Sequence, residues 1–205
     1  MAVVRILGID PGTQVVGYGC LEVAVGAGRA TGGVVPMAMR ASNVVRVGGG
    51  GGDGDVRLLA VGVLQLGGRN VELPARLHAL AVQFRAVVGA HAPTELALEQ
   101  AVHGKSAQAA LRIGEARGVV LAEAAAAGLQ VHQYAPARVK RCVTGNGASG
   151  KEAVAAMIRQ FLERGAAALV DGLPADATDA VAVAWTRLEE RRSPLLALGT
   201  RAGDG

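Results

Sequence analysis

The chain has 205 residues, a formal net charge of +4, 30 glycines, 19% charged residues and 2% aromatic residues. That length supports one substantial core and leaves no room for a second full domain, while the small basic excess permits a polyanionic partner without requiring one. Apolar stretches are interrupted by Arg, Gly or Asp before they reach the length of a membrane span, the opening residues lack a secretory pattern, and Cys20 and Cys142 show neither disulfide-framework nor metal-ligand spacing, so a reduced, cytoplasmic protein without a membrane partner is expected.

Residues 3–9, VVRILGI, form a nearly continuous apolar run, as a central strand buried on both faces requires. A second strand, VVGYGCLEV over 15–23, follows a turn containing Pro11 and Gly12, which predicts an antiparallel hairpin. Between 24 and 72, β-rich segments flank a glycine-rich tip from Gly48 to Asp55, read as an elongated hairpin with a flexible end or as a low-complexity insert. The tip is no nucleotide cradle, because no Lys-Ser or Lys-Thr follows it.

From Pro74 to about Val88, Leu77, Leu80, Ala81, Phe84 and Val88 recur at helical spacing, with a stop expected near Gly89. TELALEQ over 94–100 is a short strand ending in Glu99, and 105–128 is a long helix stopped by Gly128. Within that helix Gly114 and Gly118 would admit close approach by another element. LQVHQY over 129–134 is another strand, so the chain reads as an α/β protein with parallel members in its sheet. An amphipathic helix follows from Gly150, and a last one begins near Pro174 and fades at Pro194.

Acids at the ends of apolar strands are costly unless they are used, and Asp10 and Glu99 both stand there. If their strands are parallel neighbours, both carboxylates emerge at one edge of the sheet. Asp176 and Asp179 add a pair at i and i+3 on a helix. Carboxylates converging without His or Cys suit magnesium or manganese, and two such ions about 4 Å apart clamp a phosphodiester. Each acid also has a plainer role: Asp10 as a turn former, Asp176 or Asp179 as a helix cap or first-turn charge. Glu95 reads as a solvated strand-start residue.

Arg138, Lys140, Arg141 and Lys151 surround TGNGASG with no acid between them. A flexible glycine-rich loop between basic residues suits contact with a phosphate backbone, and equally suits an ordinary solvated loop.

In combination, LGIDPGTQVVGYG, LALEQ, AQAALRIGEARGVV, YAPARVKRCVTGNGASGKEAVAAM and PADATDAVAVA resemble, in the correct order, the motifs of the RuvC-type crossover junction endodeoxyribonucleases, the Holliday junction resolvases. The resemblance covers about residues 3–30 and 60–188. It implies an RNase H-like mixed sheet flanked by helices, in a single nuclease domain over 1–190 with a flexible tail over 191–205. It further implies a homodimer and symmetric, magnesium-dependent hydrolysis of two opposing strands at a four-way DNA junction, in recombination and repair. Two ions per site are expected, with manganese able to substitute, and a branch-migration helicase complex is the expected partner.

Carried onto matching positions, the catalytic and metal-binding acids are Asp10, Glu99, Asp176 and Asp179. Lys140 and Lys151 match basic positions near the scissile backbone, with Arg138 and Arg141 beside them. Two departures stand out. The family's bulky aromatic three residues after the strand-end Glu is Val102 here, followed by His103 as a smaller stacking platform, and residues from about 31 to 57 lengthen the early hairpin beyond the family pattern. GIDPGT also resembles the first phosphate motif of actin-like ATPases, but the second motif and the second domain are missing. A junction-binding protein with an unused metal site is the other alternative.

Overall fold

The structure, a computed structural model, describes residues 2–25, 45–47, 56–68, 70–100, 107–163 and 172–192. Strands β1 (Ala2–Asp10), β2 (Val15–Val25), β3 (Val45–Val47) and β4 (Val56–Gln65) precede α1 (Leu73–His91), β5 (Glu95–Glu99), α2 (Ala107–Ala126) and β6 (Gln130–Tyr134). Helices α3 (Pro136–Thr144), α4 (Lys151–Glu163) and α5 (Ala175–Arg192) complete the order.

The six strands form one mixed sheet in the order β3-β4-β2-β1-β5-β6. β1, β2, β4 and β3 pair antiparallel in succession, while β1, β5 and β6 pair parallel. The expected hairpins and parallel members are therefore present. β3 and β4 pair Val47 with Val56 across the glycine-rich tip, and the tip itself lies outside the described residues.

β1 is central and buried on both faces, with Ile6, Leu7 and Ile9 all fully buried, which is why its sequence is an unbroken apolar run. Alternation sends Leu7 and Ile9 toward α1 and α2, where they pack with Leu80, Phe84, Leu98 and Val120. Ile6 and Ala97 point to the other face, which is covered by α3, α4 and α5 through Val139, Ile158, Val181 and Trp185. Phe161 stacks on Trp185 with ring centroids 4.9 Å apart, fastening α4 to α5.

Helix ends follow local chemistry. α1 runs through Gly89 to His91, because the helix is closed by Ala92 in the left-handed region at φ 44° just before Pro93. Gly128 closes α2 at φ 71°. The basic residues flank the glycine-rich turn at 145–150, and Arg138, Lys140 and Arg141 lie on a helix: α3 has Pro136 in its first turn, buries Val139 and Val143, and ends at Gly145 with φ 79°. The remaining turn is tied by Thr144 Oγ1 to Ser149 Oγ at 2.7 Å and by the Ala148 N–H donating to Asn146 Oδ1 at 3.0 Å.

Three further expectations are corrected. A β-carbon at Gly114 or Gly118 would meet nothing within 4 Å, so no element of the described chain approaches them. Glu95 is buried rather than solvated. The last helix extends to Arg192, beyond the expected domain end at 190.

Candidate active site

Pairing of Ile9 with Leu98 in the parallel β1–β5 ladder brings the next residues, Asp10 and Glu99, side by side at the carboxyl ends of the two strands. Both lie at even spacing from Ile6 and Ala97, so strand alternation aims them at the face covered by α5.

α5 reaches these acids because the sheet beneath it lacks side chains. A β-carbon on Gly8 would lie 2.1 Å from the Ala180 carbonyl oxygen, one on Gly17 would lie 1.8 Å from the Asp176 carbonyl oxygen, and one on Gly19 would lie 2.6 Å from Val181. Gly17 is also the cross-strand partner of Asp10. The bare track therefore sets the first turns of α5, with Asp176 and Asp179, beside the end of β1. In a chain with 30 glycines these three carried no signal by composition, but their alternation within predicted strands was available.

Asp10 and Glu99 stand close enough for each to perturb the ionisation of the other. Burial, then the neighbouring Glu99 carboxyl, then Asp179, push the Asp10 carboxyl up to about 8, against the opposing pull of Lys151. Burial raises Glu99 as well. Lys151, the first residue of α4, donates from Nζ to Asp179 Oδ2 at 3.1 Å, and that carboxylate holds the ammonium above its ordinary range. Asp176 is half-buried on the first turn of α5.

Among the described residues, no three His, Cys, Asp or Glu side chains converge closely enough to surround an ion as they stand. Asp179 is instead paired with Lys151. The donor set nonetheless fits a hard divalent cation. It is all carboxylate oxygen, with the Lys151 ammonium on Asp179 as a neighbouring positive charge.

A small cleft beside the acids is lined by Glu99, Asp179, Lys140 and Lys151. Lys140 is half-buried on α3 and Arg141 is exposed beside it. Arg138 is committed elsewhere: its guanidinium donates to Glu190 at 2.8 Å and lies 5.2 Å from the centre of the Tyr134 ring, which spends its charge on the fold. His103 and Val102 lie outside the described residues.

Sequence reasoning also missed two arginine arrangements. Arg117 of α2 donates to the Glu99 carbonyl and to Gln133 Oε1. Arg187 and Arg191 of α5 both pair with the buried Glu95, Arg187 at 2.8 Å.

A mixed sheet of this order, with acids on β1, β5 and the final helix and two lysines across a cleft, defines a nuclease of the RNase H-like class. The family model described as crossover junction endodeoxyribonuclease RuvC matches residues 33–187. The RuvC crossover junction endodeoxyribonuclease of Myxococcus xanthus is 39% identical over 189 residues, covering 92% of this chain and 82% of that one. That of Halorhodospira halophila is 35% identical over 198 residues, covering 97% and 98%. Among solved structures, Thermus thermophilus RuvC in complex with Holliday junction substrate superposes with a TM-score of 0.68 at 27% identity, covering 92% of this chain and 95% of that one. The chain belongs to the RuvC family of crossover junction endodeoxyribonucleases. Its activity is that of a structure-selective nuclease of Holliday junctions. Members of this family act as homodimers on four-way junction DNA and use magnesium or manganese.

Proposed function

We propose that Asp10, Glu99, Asp179 and Asp176 form the hydrolytic centre of this resolvase and hold two divalent ions between them. The observation that carries the reading is geometric: Ile9 pairs with Leu98, so Asp10 and Glu99 leave adjacent parallel strands at one edge, and the bare Gly17 seats the first turn of α5, with Asp176 and Asp179, beside them. When bound, the ions supply Lewis acidity toward the phosphodiester and favour an ionised water nucleophile.

The chain's own residues do the rest. Asp10 and Glu99 would hold the ions as ionised carboxylates, and the backbone of the two adjacent strands keeps both in place. The Lys151 ammonium, released from Asp179 as that carboxylate turns to the site, neutralises the phosphate being cleaved. Lys140 contacts the same strand from the other wall of the cleft, and Arg141 an outer phosphate. His103, four residues beyond Glu99, offers a stacking platform to an unpaired base at the crossover.

Two subunits related by a two-fold axis place two such centres on equivalent strands, giving paired nicks with 5'-phosphate and 3'-hydroxyl ends. A branch-migration helicase complex is the partner that delivers the junction. In domain terms, the described residues through Arg192 act as one nuclease unit.

The test is a synthetic four-way junction labelled on each strand in turn and incubated with magnesium. Nicks at matching positions in two opposing strands, sealable by ligase, are expected. Unpaired nicks, or equal cutting of linear duplex, would contradict the reading.

A further inference from the structure

Arg117 is an arginine that the hydrolytic centre does not use directly, and its surroundings are unusual. It sits on α2, on the opposite side of the sheet from α5, and is only 9% exposed. Its two hydrogen-bond partners are neutral oxygens: the main-chain carbonyl of Glu99 and Oε1 of Gln133 on β6, the latter at 2.5 Å. Burial pulls its proton affinity down, and the Glu99 charge partly restores it.

A buried guanidinium with no bonded carboxylate among the described residues is an expensive way to pack a helix on a sheet, and an apolar side chain of similar volume would serve packing alone at lower cost. What the guanidinium does, and a methionine cannot, is span two strands with a rigid fork. One arm fixes the peptide whose side chain is the Glu99 carboxylate, and the other holds β6. The adjoining peptide is fixed from the same strand, since the Gln100 N–H donates to the Tyr134 carbonyl at 2.8 Å. The last peptide of β5 is thereby clamped from behind while its side chain faces Asp10.

We propose that Arg117 is a positioning residue for cleavage, locking the carboxyl end of β5 so that Glu99 meets Asp10 at the distance an ion requires. This rests on Glu99 being part of the hydrolytic centre. Arg117 is buried and bonds a main-chain carbonyl and Gln133 rather than the acids themselves, so its loss should act on the assembly of the acids and leave junction recognition intact.

The experiment uses the full chain and compares Arg117→Met, Arg117→Lys, Gln133→Leu and Glu99→Gln. Each is measured for junction affinity in calcium, for single-turnover cleavage of pre-bound junction across a magnesium titration, and for manganese binding by electron paramagnetic resonance. Arg117→Met is expected to bind junction like the wild type, to cleave about 100-fold more slowly, and to need more of either metal. Arg117→Lys keeps one donor and recovers part of the rate, and Gln133→Leu shows the same metal shift in weaker form. Wild-type rate and metal dependence in Arg117→Met would overturn the proposal, as would a loss of junction affinity matching the loss of rate. If Arg117→Met fails to fold, Arg117→Lys and Gln133→Leu decide, and unchanged metal dependence in both overturns it. Glu99→Gln separates the two levels: if it cleaves normally the site reading fails, whereas an inactive Glu99→Gln beside normal Arg117 variants sinks the clamp alone.

Discussion

The carbonyl of Asp176 rests against the bare α-carbon of Gly17, so closely that a β-carbon there would stand 1.8 Å from the oxygen. Since Gly17 faces Asp10 across the β1–β2 ladder, this contact measures how near the acidic helix comes to the acidic strand. Gly17→Ala should push the first turn of α5 away, costing about 2 kcal/mol of stability and most of the cleavage rate. Gly89→Ala, on an open helical position, should instead stabilise by about 0.5 to 1 kcal/mol with activity unchanged. Thermal melts and junction cleavage on both variants check the contrast.

Asp10 supplies a pH signature. Its carboxyl is raised from 3.8 to about 8 in the folded, metal-free chain, so between those values the folded state binds more protons than the unfolded state and stability falls as pH rises. Glu99 shifts in the same direction. A divalent cation binds the ionised acids and removes the penalty. In chelator, the melting temperature should therefore fall from about pH 5 to about pH 8, and magnesium should raise it more at the higher pH. An equal magnesium effect at both ends would show that these carboxyls do not titrate as a site.

Glu95 and Glu99 lie on the same face of one strand, yet their roles differ. Glu95 is 3% exposed and held by Arg187 and Arg191, so Glu95→Gln leaves two guanidinium groups short of charge and should cost about 3 kcal/mol. Its magnesium dependence in cleavage should match the wild type. Chemical denaturation and a magnesium titration of the rate separate the two glutamates.

How far these features were legible from sequence depends on whether the signal was local. The apolar run ending in Asp10 and the strand ending in Glu99 identify both acids, because a buried strand and its terminal charge are written in adjacent residues. Pro136 and Gly145 likewise mark α3, although the basic residues between them drew attention to charge instead of to the buried Val139 and Val143. Glu95 was not legible as a buried anion, since Arg187 and Arg191 come from a helix some 90 positions away. Nor was the inward turn of Arg138, which depends on Glu190. The glycine track was obscured by a glycine-rich composition: the alternation of Gly17 and Gly19 within a predicted strand hints at it, and the packing of α5 shows what it is for.

The lysines provide a test of DNA contact. Lys151 is exposed at the start of α4 and Lys140 half-buried on α3, both lining the cleft beside Glu99. Replacing either with alanine should weaken junction binding and reduce the slope of log affinity against log salt by about one. Arg138→Ala should instead lower stability through the loss of the Glu190 and Tyr134 contacts, with the salt slope unchanged. A slope unaffected by Lys140→Ala and Lys151→Ala would remove both from the DNA surface.

The central claim is that the acids gathered at Asp10 perform hydrolysis on a junction that other surfaces recognise. It is tested most directly by Asp10→Asn, assayed in parallel for junction binding and for magnesium-dependent cleavage of the same substrate. The account predicts full binding with no detectable cleavage. Cleavage at the wild-type rate by Asp10→Asn would contradict it.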